Sequence, residues 1–314
     1  VEAAGGTAIR VNDGIDIPPP TDPDAPIIQG PIVTNAGTII LNGVNSVGIE
    51  SNNNHEITNL LGGDIHVTAT ATDGVGIRGA DDNIVRNQGT ITVDAVNGRA
   101  VVIGRNTGEA LPNGAIFDSS SVVTINGNGG IGLDLSIGQV GSVNSGLLTL
   151  DLNAQNTTGI LVGDKGDINA QANHTNSGTL NVDAQQSFGM RLGDEWVDRN
   201  LVDDDSDEST PEVLQLAPGI RNTATINVNG AQSFGVLAGN ATNTNGNHNS
   251  FLFNSGLINV TGLDAVGVSL GGNDLLSPID PDNPAPTDQL FTFVNNQGSQ
   301  NFFGQPIPGG QIIG

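Results

Sequence analysis

NSGTLNVDAQQSFGMRLG, residues 176–193, returns as NTATINVNGAQSFGVLAG at 222–239 and as NSGLINVTGLDAVGVSLG at 254–271. Looser copies begin at Asn35, Asn87, Asp118 and Asn144. Within the first of these, Leu180 and Val182 alternate with polar residues, and after the AQQS turn so do Phe188, Met190 and Leu192. Strict alternation is the signature of a strand with one buried face. A shorter third run precedes each unit head, with Val33, Ile57, Val85, Ile116, Ile220, Leu252 and Phe293 expected inward, two residues upstream of Asn35, Asn59, Asn87, Asp118, Asn222, Asn254 and Asn295. Each unit therefore supplies three short strands.

Three strands per unit, repeated this often, predict an all-β right-handed parallel β-helix of about eight to nine coils, with equivalent strands stacked at about 4.8 Å. Parity puts the head asparagines Asn35, Asn87, Asn144, Asn176, Asn222 and Asn254 on the inward side, where each amide can bond the next in a ladder. A buried amide left unpaired would cost roughly 1–3 kcal/mol, which favours such a stack. The glycines two residues later (Gly37, Gly89, Gly146, Gly178, Gly256) are expected to provide a tight bend or a positive φ. The stretch from Asn59 to Val67 reads as a degenerate coil.

One elongated solenoid is predicted over 1–294, with an irregular first coil at 1–30 and a Gly/Pro-containing tail at 295–314. Pro/Asp-rich or acidic insertions at 13–30, 194–218 and 272–290 cannot continue strands. All three follow the same strand of the unit, after Val11, Leu192 and Leu270, so they are expected along one edge. Loops on a rigid scaffold are where binding concentrates, and a solenoid also tolerates insertions at its loosest turn.

Aromatic residues are 3% of the chain, which suits a narrow aliphatic core. The net charge of −24 repels phosphate backbones and anionic membranes, which excludes nucleic acid as a partner. There is no cysteine, hence no disulfide and no thiolate metal site. The opening VEAAGGTAIRV has neither a basic nor an apolar leader region, and no stretch reaches the roughly 18 apolar residues of a spanning helix.

The outward positions of the second strand read Glu50, Arg78, Val102, Asp134, Leu161, Arg191, Leu237 and Ser269, with no two acids adjacent. Glycoside hydrolysis needs two carboxyls roughly 5–10 Å apart. Asp151 and Asp183 come nearest, at equivalent positions of neighbouring coils, but Asn42, Asn126 and Asn229 occupy the same place and mark it as a turn. The histidines His55, His66, His174 and His248 lack metalloprotease spacing, and three of them stand in Asn-rich stretches that read as surface turns. Lys165 is alone in a GDKGD turn, and no GxSxG is present. The reading is non-enzymatic. Asp203, Asp205 and Asp207 share the spacing that opens a calcium loop, but Glu208 and Leu214 replace its Gly and Glu. That cluster either holds a divalent ion, calcium first, or stays solvated. GGIGLDLS at 129–136 fits a calcium β-roll nonapeptide once, without the tandem copies such a site needs.

The recurring N-x-G-[TL]-[IL]-x-[VL]-x-[GA] followed by x-x-S-x-G-[IVLM], seen from Asn35, Asn176, Asn222 and Asn254, resembles the β-helical passenger domains of Gram-negative autotransporters over roughly 31–271, and more distantly filamentous-haemagglutinin-type adhesins. The resemblance implies export across the outer membrane to the cell surface and a role in adhesion, aggregation or biofilm. Its partners would be a glycan, a matrix protein or a cell-surface protein; a truncated first coil and a tail, FFGQPIPGGQIIG, with no amphipathic helix to cover the last strands lead to the alternative expectation of self-association, as a filament or surface layer built by end-to-end β-stacking. No translocator barrel is part of the matched stretch.

Overall fold

The computed structural model describes residues 1–11, 32–52, 55–80, 83–104, 114–135, 141–162, 173–192, 219–238, 251–270, 293–295, 299–300, 306–307 and 311–313. These form a parallel β-helix. Three sheets of nine strands each run along it, and every strand pairs with the equivalent strand of the coil before and the coil after. Sheet A begins with Thr7–Val11 and continues through Val47–Ser51 to Val266–Leu270. Sheet B runs from Ile32–Asn35 to Phe293–Asn295, and sheet C from Thr38–Leu41 to Gln311–Ile313. A complete coil passes B, then C, then A, and its interstrand hydrogen bonds lie along the rod axis.

The core is an aliphatic column enclosed by the three sheets. Leu180 and Val182 from sheet C and Met190 from sheet A are at most 1% exposed, and the same positions hold Ile226, Val228 and Val236 one coil later. Sheet B lines its wall with Val33, Ile57, Val85, Ala115, Ser142, His174 and Ile220 in successive coils. The expected inward run departs from this twice. Ala115 and Phe117 point inward where Ile116 and Asp118 were expected, because the strand Ala115–Phe117 pairs one residue earlier. Val294 likewise pairs with Leu252 in place of Phe293. A slip of one residue reverses every side chain of a strand, and in the fourth coil the reward is burial of Phe117, the largest fully buried side chain among the described residues.

Phe188 also departs from simple alternation. It is half-buried, and its ring stacks on Phe234 with centroids 5.5 Å apart. Ser187 and Gly189 on either side of it are both buried, so the chain bends into the core at the glycine before Met190 continues the inward run. A Cβ on Gly189 would lie 2.5 Å from the Gly235 carbonyl oxygen and 3.1 Å from side-chain atoms of Leu180 and Val182. Gly48, Gly76, Gly132, Gly159 and Gly235 meet the next coil in the same way, and in that column only Ala8, in the first strand, and Ala100 carry a methyl. Gly189→Val is therefore expected to lower stability by about 1–3 kcal/mol through overpacking against backbone. Gly37→Ala, with nothing within 4 Å of the added carbon, is expected to be close to neutral. Thermal melts of the two variants check this, and equal melting points would sink the close-approach account.

Of the two expectations for the turn glycines Gly89, Gly146, Gly178 and Gly256, the bend is present and the positive φ is not. Each instead lies where a Cβ would strike a backbone carbonyl of the coil beneath. Left-handed backbone occurs at the corner between sheets C and A, at Gly5, Asn45, Asp73, Asn97, Gly129, Asn156, Gln186, Gln232 and Asp264, once in each successive coil. Asn, Asp and Gly tolerate that conformation at least cost. Its N–H donates forward to the next coil, as from Asn97 to the Asn128 carbonyl at 2.8 Å and from Gln186 to the Ala231 carbonyl at 3.0 Å.

The tail at 295–314 is not wholly irregular: Gln311–Ile313 adds a ninth strand to sheet C beside Leu257–Asn259, with Ile312 in register with Ile258.

Candidate functional site

The inward asparagines form the expected ladder. Asn144 donates to Asn176 at 2.8 Å, Asn176 to Asn222 at 2.9 Å and Asn222 to Asn254 at 2.8 Å. A second run joins Asn35, Asn59 and Asn87 at 2.9 and 2.8 Å, so the degenerate coil supplies a member that was not among the expected ones. Phe117 separates the two runs. Asn87 turns its amide to the Ser121 hydroxyl at 2.6 Å, and the Asn144 Oδ1 is left without a donor. All of these asparagines are at most 6% exposed, so the ladder serves the rod and not a ligand.

Sheet A keeps the expected register: Arg10, Glu50, Arg78, Val102, Asp134, Leu161, Arg191, Leu237 and Ser269 are successive neighbours, although Asp134 and Leu161 are buried. Arg10 and Arg78 bracket Glu50 at 2.7 and 3.4 Å, and Arg99 meets Asp134 at 2.8 Å. Burial opposes ionisation of Glu50, but hydrogen bonds from Arg10 and Thr7 and the charges of Arg10 and Arg78 outweigh it and hold the carboxyl below its usual range. Arg191 forms no ion pair with a described carboxylate and lies over the Phe188 ring, 5.3 Å from its centroid.

The candidate acid pair is committed to turns. Asp151 accepts from the backbone and side-chain nitrogens of Asn153 at 2.9 and 2.8 Å, and Asp183 accepts from Asn229 at 2.7 Å. Asp94, in the same column, accepts from Asn126 and meets the His66 ring, both at 2.6 Å. Burial raises its pKa, but these hydrogen bonds and the His66 charge reverse the shift and leave it lowered.

Two histidines expected at the surface are inside. His55 is 3% exposed with both ring nitrogens unpaired, and His174 is fully buried with Nδ1 3.1 Å from the Ser142 hydroxyl. His174 occupies the sheet B wall position held by isoleucine in the next coil, which its Asn-rich neighbours conceal in the sequence. Burial lowers its pKa to about 4. His248 and Lys165 lie outside the described residues, as do Asp203, Asp205 and Asp207. Among the described residues no group of three or more metal-ligating side chains comes together.

The insertions 13–30, 194–218 and 272–290 also lie outside the described residues, but the strands that flank them are fixed. Each leaves a sheet A strand and returns to a sheet B strand. The other connections at this corner vary as well: 52–55, 80–83, 104–114, 136–141, 163–172 and 239–250. In the complete coils, connections from B to C take only two to four residues and those from C to A five to seven. Over the complete coils one corner absorbs the length variation, and the longer B-to-C connection at 296–310 comes only after the last of them.

No protein-family model, curated protein or solved structure matches this chain.

Proposed function

We propose that this chain is a non-catalytic recognition rod of the cell exterior, which displays loops from the corner between sheets A and B to a glycan, a matrix protein or another cell. The observation that carries this reading is that over the complete coils variable connections are confined to one corner, with the other two held nearly constant. Loops that vary on a scaffold that does not are the arrangement by which a fold changes what it binds without changing how it folds. The resemblance to autotransporter passengers supports an exported adhesin, and the charge of −24 suits a surface held apart from membranes and nucleic acid. A divalent ion, calcium first, is the cofactor to test at Asp203, Asp205 and Asp207.

Deletion of 194–218, closed by a short Gly/Ser linker between Leu192 and Gly219, is expected to leave the β-sheet circular dichroism intact and to reduce attachment at least tenfold. The readout is retention of labelled protein on cells, matrix and glycan arrays. Undiminished attachment by a folded deletion would overturn the role given to that loop.

A further inference from the structure

The outer face of sheet C differs from those of sheets A and B, which carry Arg10, Glu50, Arg78, Arg86 and Arg191. From the third complete coil to the eighth, its two outward columns are Thr90, Val122, Leu147, Thr179, Thr225, Leu257 and Thr92, Thr124, Thr149, Asn181, Asn227, Asn259, in unbroken register. None is charged, in a chain with 33 acidic residues. Every one of them is half-exposed or exposed. The six threonine hydroxyls make no hydrogen bond to a described protein group, and the only bond within the columns joins Asn227 to Asn181 at 2.9 Å.

The spacing is as regular as the chemistry. Successive coils set the rows about 4.8 Å apart, and two residues along a strand set the columns roughly 6.7 Å apart. Over these six coils the corners that flank the sheet are of nearly constant length, and the one longer connection at them, 296–310, follows the last sheet B strand beyond the eighth coil.

We infer that the outer face of sheet C binds the surface of ice. A hydroxyl or amide on each coil can take a place in a hydrogen-bonded water lattice, because each both donates and accepts. The methyl groups of threonine, valine and leucine between them order water without competing for it. A charged side chain would impose its own hydration shell, and this face has none over six coils. A second copy of the chain fits the face less well. Its four-residue strands over six coils cover an area below the roughly 800 Å² per partner of a stable interface. A polysaccharide would ordinarily be met by aromatic platforms, and no aromatic side chain stands in either column.

The test uses the whole chain, fluorescently labelled, on a growing ice hemisphere, together with recrystallisation of ice at micromolar protein. The expected result is incorporation into ice and slowed recrystallisation. Thr124→Lys combined with Thr149→Lys, at the centre of the threonine column, is expected to reduce both at least tenfold with unchanged circular dichroism. Thr92→Lys serves if the double variant fails to fold, and deletion of 194–218 should leave both effects intact. Exclusion of the wild-type chain from ice would overturn the inference, as would equal incorporation of the folded lysine variants.

Discussion

Asn176→Ala is expected to destabilise the rod by about 3–5 kcal/mol. Asn176 is an interior rung: its Oδ1 accepts from Asn144, and its Nδ2 donates to the Asn222 Oδ1 at 2.9 Å, to the Thr225 carbonyl at 3.2 Å and to the Gly178 carbonyl at 3.3 Å. Alanine removes all four bonds. It strands a donor on Asn144 and an acceptor on Asn222, in a place where no exposure admits water to replace them. Each orphaned group costs about 1–3 kcal/mol, and the small cavity adds to that. Asn35→Ala, at the first rung, removes one bond to Asn59 and its local contacts with Gly37, so about 1 kcal/mol is expected. Denaturant unfolding of both variants gives the comparison. Because each coil contacts mainly its neighbours, amide exchange should also rise first around the altered rung. Equal losses at Asn176 and Asn35 would show that the ladder adds nothing beyond burial.

The second large effect is expected on acidification. His174 is neutral when folded, with its pKa lowered to about 4 from the ordinary 6.5. Above pH 6.5 neither state binds the proton, so the folded state carries no penalty there. Between pH 6.5 and about 4 the unfolded chain takes up a proton that the folded chain refuses, and stability falls by about 3 kcal/mol across that window. Glu50 and Asp94, whose carboxyls are held below their usual range, lose their contribution at lower pH, once they protonate. Acidification also relieves the self-repulsion of a strongly acidic chain, so the informative quantity is a difference. His174→Leu, which continues the aliphatic wall toward Ile220, is expected to abolish the loss between pH 6.5 and 4 while leaving the later one. Parallel curves for the two proteins over that window would show that His174 is not the sensitive group.

The architecture was legible because one period is stated again and again. Leu180, Ile226 and Ile258 recur at the same place in a motif whose neighbours hardly change, and the structure stacks them. The outward file from Glu50 to Ser269 was readable for the same reason. What could not be read is what single residues decide against the pattern. Nothing in AIFD announces that Phe117 will be drawn inward at the expense of an asparagine rung, since that choice depends on the volume left by coils on either side. His174 sits in NHTN, which has the composition of a turn, yet the register of a neighbouring strand carries it into the wall. The turn glycines stand at bends as expected, but their close approach to the coil beneath could not be read, because contact between coils is not a property of the local chain. The acidic trio at 203–207 and the three insertions were recognised from composition alone, and composition says where a loop leaves without saying what it holds.

The axial direction of the interstrand hydrogen bonds has a mechanical consequence. A rod anchored at one end and pulled at the other is loaded along those bonds, so it opens like a zip, one coil at a time, instead of resisting in shear. Each opened coil releases its contour. The coil from Asn35 to Asn59 holds 24 residues and that from Asn176 to Asn222 holds 46, so the tether would lengthen in steps of roughly 80 to 150 Å. Under tension such a rod is an extensible leash whose longest steps come from the coils that carry the longest loops.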